Sequence, residues 1–270
     1  MSKKRIYYGL LLLIFIGCAA SRYEKAEVFY ETQDYEALIE SGLDCSEFST
    51  ECFRLKYYRT EGFYERDDID ATLASAAEAI ARVNDDIPLY QITRLYSLQT
   101  EMRLEKLSMM SNASDKAALL RDLESSLREV LAVLKSRQAG EQYLSDYRTF
   151  QLLLGKSLLK RMDLLTGKNR EILYDRILRL LQDYDDVLVS QGYQQYYKFL
   201  ADYYLVEPEI SAWIYQGTLQ REREALLNEL KSLYKEALAL RKLPLYEQDE
   251  SDAIESYIRR IDDTMKQLIL

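Results

Sequence analysis

Histidine is missing from all 270 residues of this chain. That absence removes the usual general base, the commonest metal ligand and the physiological pH switch together. Acid–base work by Glu, Asp, Lys or Tyr stays open, but the expectation is a non-catalytic protein with no cofactor and no metal. Glycine and proline number only 9 and 3. A sheet-rich protein needs more turn punctuation than that, whereas long helices need little. No glycine-rich phosphate loop, Cys-x-x-Cys pair or carboxylate cluster with metal-ligand spacing occurs. No basic stripe occurs either. The formal charge is −9, from 36 basic and 45 acidic residues, and a surface of that sign repels phosphate backbones, so no nucleic acid is expected as a partner.

What is present begins with an address. Residues 1–17 read MSKKRIYYGLLLLIFIG: a basic start, then an apolar run from Ile6 to Ile16. That run is too short to span a bilayer, which takes about 20 residues, but suits the apolar region of a secretory leader. Gly17, Cys18 and the following Ala-Ala-Ser resemble a bacterial lipoprotein signal, with Phe15 where that family usually has Leu. The resemblance implies a removed signal peptide over 1–17, acyl chains such as palmitate on Cys18, and a body held at a membrane by that lipid. Ala19 is not the Asp that retains lipoproteins at the inner membrane, so the implied location is the bacterial envelope, at the outer membrane facing the periplasm.

Cys45 and Cys52 are the remaining cysteines. In an oxidising compartment two cysteines seven positions apart invite a disulfide. On one continuous helix they would be about 10 Å apart, too far for a bridge. A disulfide therefore requires a turn within 46–51, with Ser46 or Ser49 as a helix N-cap; two buried free thiols are the alternative.

A repeat is visible at the N-terminal end. FYETQDYEAL at 29–38 is answered by FYERDDIDAT at 63–72. Phe29/Phe63, Tyr30/Tyr64, Glu31/Glu65, Asp34/Asp68 and Ala37/Ala71 coincide, and Tyr23/Tyr57 keep the register. A 34-residue period of helix–turn–helix character resembles the tetratricopeptide repeat. In that resemblance Phe29 and Tyr30 close the first helix, Gln33-Asp34-Tyr35 form the turn, and Ala37 is near the small residue where the paired helices cross. The family's Trp-Leu-Gly opening is missing. The likeness covers roughly 20–85 and implies helical repeats over 18–85.

Beyond residue 85 the register fades but helical spacing continues. Leu120, Leu123, Leu127, Val130 or Leu131 and Leu134 form one apolar stripe. Leu173, Ile177, Leu180, Tyr184 and Val187 form a second. Leu219, Leu226, Leu230, Leu233, Ala237 and Leu240 form a third, and Ile254, Tyr257, Ile261, Met265 and Leu268 a fourth. Breaks fall at 84–88, 111–115, 138–141, 166–169, 190–193, VEPE at 206–209 and 242–252, with Pro208 suited to a helix's first turn and Asp252 with Glu255 to a capping-box start. No convincing strand pattern exists. The sequence reads as all-α: antiparallel helix pairs stacked as an α-α superhelix, tetratricopeptide-like first, then longer degenerate hairpins over 86–270, the last helix acting as a cap.

Tyrosine is abundant, at 23 residues, and densest over 192–215. Tyr193, Tyr196 or Tyr197, Leu200 and Tyr203 or Tyr204 recur at helical spacing. They read either as a core stripe with hydroxyls at its rim or as an aromatic groove for a partner or ligand, with Trp213 as its best single anchor. Tyr23, Tyr30, Tyr57 and Tyr64 read as helix–helix seals. Glu-Ser dipeptides, such as Glu124-Ser125 and Glu250-Ser251, resemble the catalytic start of lytic transglycosylases, but no Gly-Leu-Met-Gln segment follows, so that resemblance carries nothing. The expectation is a membrane-anchored periplasmic scaffold binding an envelope protein or peptide; the alternative is an accessory subunit of a solute-uptake system, holding a small ligand in an aromatic-lined pocket.

Overall fold

Helix caps recur along the chain where short polar residues precede apolar periodicity, and they fix the element order. The computed structural model describes residues 21–137, 140–186, 191–219, 222–243 and 248–269. The leader, Cys18 and Val187 lie outside these, as does the side chain of Tyr184. The described residues form an all-α fold of eleven helices with no strand among them. They fall into two compact units, the first ending at Met110 and the second beginning at Ser111. Among the described residues no helix is long and apolar enough to cross a membrane.

The first unit holds α1 (Arg22–Glu31), α2 (Tyr35–Glu40), α3 (Thr50–Glu65), α4 (Ile69–Ile80) and α5 (Leu89–Met109). Helix α1 packs on α2 and α3, α3 on α4, and α5 on both α3 and α4; that last packing extends the unit past residue 85. Two turns 34 residues apart have the same construction. Gln33 (φ 57°) and Asp67 (φ 55°) occupy the left-handed region just after α1 and α3. Asp34 N–H reaches back to the Phe29 carbonyl at 2.8 Å, and Asp68 N–H to that of Phe63 at 3.1 Å. Each aspartate then caps the next helix, its carboxylate accepting from Ala37 N–H or Ala71 N–H at 3.0 Å. These are Schellman closures whose final residue is already the following N-cap. Ala37 and Ala71 are half-buried; in α4 the buried small residues are Thr72, Ser75, Ala76 and Ala79.

A left-handed conformation burdens any side chain with a Cβ clash that glycine escapes. Gln33→Gly is therefore expected to stabilise the chain by up to about 1 kcal/mol. Urea denaturation checks this; a lower midpoint would mean that the Gln33 side chain holds the turn by contacts of its own.

Residues 42–49 are not helical, and there Cys45 joins Cys52 by a disulfide with Cα atoms 5.7 Å apart. Ser49 starts α3, its hydroxyl accepting from Cys52 N–H at 3.1 Å. The same loop is held by buried Lys56, whose ammonium donates to Asp44 at 2.5 Å and also to Glu78 on α4. The Lys56 hydrogen bond, with one from Cys45 N–H, holds the Asp44 carboxyl below its usual range. Closing so short a loop stabilises by about 2–3 kcal/mol in the chain-entropy account. Cys45→Ser should lose that much in denaturant titration, with the wild type in dithiothreitol losing the same; no loss in either would remove the disulfide from the stability of this unit.

The second unit holds α6 (Ala113–Arg137), α7 (Gly140–Asp163), α8 (Lys168–Asp186), α9 (Gln191–Gln216), α10 (Arg223–Leu240) and α11 (Gln248–Ile269). Consecutive helices pack on one another, and α9 also packs on α7. The stripe at Leu120, Leu123, Leu127, Val130, Leu131 and Leu134 is buried, as are Leu173, Ile177 and Leu180, and Leu226, Leu230, Leu233, Ala237 and Leu240. Three boundaries differ from the sequence reading. Helix α10 starts at Arg223, after Leu219. Helix α11 starts at Gln248, ahead of the Asp252–Glu255 pair. Helix α9 runs unbroken through VEPE with Pro208 inside it.

A proline at 208 offers no N–H to the carbonyl four residues back. That carbonyl, on Tyr204, instead accepts from the guanidinium of Arg170 at 2.6 Å. Arg170 is buried in the first turn of α8 and also donates to the carbonyls of Leu165 at 2.7 Å and Asp163 at 3.2 Å, at the end of α7. One side chain thus closes the end of α7 and replaces the donor that α9 lacks.

Candidate functional site

The tyrosine-rich segment forms most of α9, with α7, α8 and α10 packed against it. Its 3.6-residue period divides the aromatic residues between two faces. Tyr196, Tyr197, Leu200 and Tyr204 line a half-open cavity of about 170 Å³; Lys156, Leu159 and Lys160 from α7 complete it on one side, Glu250, Ala253 and Tyr257 from α11 on the other. Tyr196 and Tyr197 are buried. The Tyr197 hydroxyl donates to the Leu152 carbonyl at 3.3 Å. Burial, with Glu250 nearby, pushes that hydroxyl's pKa upward, so it stays neutral.

Glu250 is buried at the start of α11 and accepts from the Tyr193 hydroxyl at 3.2 Å. Across the cavity Lys156 and Lys160 stand one turn apart on α7. The Lys160 ammonium is held below the usual lysine value, first by lost hydration and then by Lys156, although its side chain reaches solvent. The Tyr204 and Tyr257 hydroxyls share a hydrogen bond at 3.3 Å. An aromatic socket therefore carries a carboxylate on one rim and two ammonium groups on the other.

The six residues singled out from sequence do not act as one surface. Tyr196, Tyr197 and Tyr204 line the cavity, and half-buried Tyr193 touches it through Glu250. Tyr203 turns away into the core: it is 1% exposed, packs on Phe199 and Tyr257 with centroids 6.2 and 4.6 Å apart, and its hydroxyl has no partner among the described residues. Burial pushes that hydroxyl up to about 12. Trp213 is half-buried and does not line the cavity. It follows Tyr204 by about two and a half helical turns, which puts it on the opposite side of α9.

Lys156, Lys160 and Glu250 were missed. The two lysines share a helical face, a spacing visible in sequence, but nothing in sequence brings that face to α9. Tyr257 was read as part of an apolar stripe, and its hydroxyl bond to Tyr204 gives it a second role. Below the cavity Arg260 on α11 donates to Glu207 at 2.7 Å and to the Ser211 hydroxyl at 2.9 Å, which joins α11 to α9.

The seals expected in the first unit are found at Tyr30 and Tyr57. Tyr30 stacks on Tyr58 at 4.5 Å and meets Tyr57 edge-on at 6.2 Å, bridging α1 and α3. Tyr23 and Tyr64 donate to Glu47 and Glu101 at 2.8 and 2.9 Å. One group of described residues has metal-ligand spacing, Cys45, Glu47 and Cys52; both sulfurs are committed to the disulfide and offer no thiolate.

No protein-family model matches the chain, and no curated protein matches it significantly.

Proposed function

We propose that this chain is a non-catalytic helical scaffold, anchored to the bacterial envelope by lipid on Cys18, that grips a segment of another envelope protein through the tyrosine cavity of its second unit. The observation carrying this reading is the size of that cavity. About 170 Å³ accommodates one large side chain, whereas sites for whole metabolites run to about 300–1,000 Å³. Aromatic walls give contact area at low entropy cost, as in the anchor pockets of protein interfaces. Lys156 and Lys160 add a rim suited to acidic residues beside the inserted side chain. The 34-residue recurrence of capped turns supports a tetratricopeptide-like construction, and stacked hairpins of that kind form a superhelix with an extended binding surface. Lipid on Cys18 would confine the body near its partners and raise their effective concentration.

The test is a photo-cross-linking amino acid at position 156 of the full-length protein in cells, paired with Ala253→Phe to fill the cavity. A protein adduct that disappears in the Ala253→Phe background supports the scaffold. Cross-linking only to a small molecule favours the second reading, an uptake accessory, for which the buried Glu250 carboxylate supplies the polar recognition group. Protein adducts unchanged by Ala253→Phe would move the partner surface elsewhere.

A further inference from the structure

A second concavity in the same unit has a charge opposite to that of the molecule. It measures about 420 Å³ and is lined by Glu124 and Arg128 from α6 and by Arg176, Arg179 and Leu180 from α8. Glu124 is also half of an ion pair: Arg161 of α7 donates to it at 2.8 Å, both side chains being buried. Arg121 lies close enough to act on the Glu124 carboxylate together with Arg128, Arg161 and Arg176. Four guanidiniums therefore act on one carboxylate, and Arg179 adds a fifth to the cavity lining, inside a chain of formal charge −9.

Three cations elsewhere in this unit pair with acidic side chains, Lys198 with Asp202, Arg241 with Glu255 and Lys266 with Asp262. Arg121, Arg128 and Arg176 make no ion pair among the described residues. Like charges gathered around one cavity repel, and an ordinary solvated face intersperses both signs. Glu124 offsets one charge, while Arg128, Arg176 and Arg179 line the cavity with exposed side chains, so excess positive charge remains at it. Guanidiniums present planar forks of N–H donors that match the oxygens of phosphate in pairs.

We propose that this arginine-lined cavity binds a phosphate-bearing group. Its chemistry is common to a soluble phosphate compound and to the headgroup of an anionic phospholipid, and its volume is that of a small-molecule site. Arg128, Arg176 and Arg179 hold the phosphate oxygens while Arg161 holds the Glu124 carboxylate, and Leu180 gives the attached carbon skeleton an apolar wall. This inference is independent of the tyrosine cavity.

The experiment follows thermal unfolding of the full chain in non-ionic detergent by circular dichroism. The soluble arm adds sn-glycerol 3-phosphate or inorganic phosphate, against potassium chloride at equal ionic strength. The lipid arm adds phosphatidylglycerol to the micelles, against phosphatidylcholine. Each is repeated with Arg128→Gln/Arg176→Gln, whose substituted side chains are exposed and whose own unliganded melting is the baseline for its titration. A rise in Tm with a soluble phosphate, with apparent affinity at least ~tenfold weaker in the double variant, identifies a soluble ligand. A rise confined to phosphatidylglycerol and lost in the variant identifies a headgroup. No rise in either arm, or an equal rise in the variant, overturns the proposal.

Discussion

Arg170→Met is expected to lower the unfolding free energy by about 3–4 kcal/mol, because charge-assisted hydrogen bonds from one buried guanidinium to three carbonyls disappear together and leave acceptors without partners. The methionine preserves much of the apolar stem, so lost packing contributes little. Guanidinium titration of the full chain measures the loss, and the proline gives an internal control. Adding Pro208→Ala to Arg170→Met restores an N–H opposite the Tyr204 carbonyl and should recover at least about 1 kcal/mol. In the wild-type background the same change gains less, because Arg170 already serves that carbonyl. The two substitutions must therefore couple; strictly additive effects would sink this account of how α9 survives its proline.

Arg161→Met should be the other severe change, costing about 3–5 kcal/mol by removing the one buried cation that hydrogen-bonds the Glu124 carboxylate. The pair itself is not a strong source of stability. Burial pushes the Glu124 carboxyl up and the Arg161 guanidinium down, so for each partner lost hydration outweighs the attraction of its mate. Replacing both, as Glu124→Leu/Arg161→Met, should accordingly restore most of the lost stability or exceed the wild type. Acid gives a further check. A carboxyl whose folded pKa is raised takes up its proton more readily in the native state. Stability contributed by that group therefore grows as pH falls through the raised folded value, and is complete below the ordinary glutamate value of about 4.3. The deficit of Arg161→Met should shrink over that window. A deficit that holds constant from pH 7 to about pH 4 would show that Glu124 is not the charge left stranded.

How much of this could be read in advance follows from which interactions are local. The leucines of α6 are buried as their spacing dictates, since a stripe three and four residues apart has one face to bury. The paired aspartates at 34 and 68 were legible as turn positions because the two copies coincide there; their capping of the next helix is a short-range bond that follows from the same turn. Pro208 was read as a helix boundary because, locally, it is one; the donor that overrides it belongs to a different helix. Glu250 and the lysines at 156 and 160 were invisible for the same reason, as their meaning lies in the meeting of α7, α9 and α11. Trp213 attracted attention by rarity, and rarity carries no information about which side of a helix a residue occupies.

The turns after α1 and α3 have a mechanical consequence. Asp34 and Asp68 each belong to two helices at once, closing one and opening the next, so these joints have no spare residue with which to bend. An insertion of a single residue at either would unseat two helix ends rather than lengthen a loop. Deformation within the first unit is then left to the longer non-helical stretches at 42–49 and 81–88, and at the first the covalent bond between Cys45 and Cys52 supplies stiffness. Of the unit's two longer connections one is riveted, and the redox state of its surroundings decides whether that seam can flex.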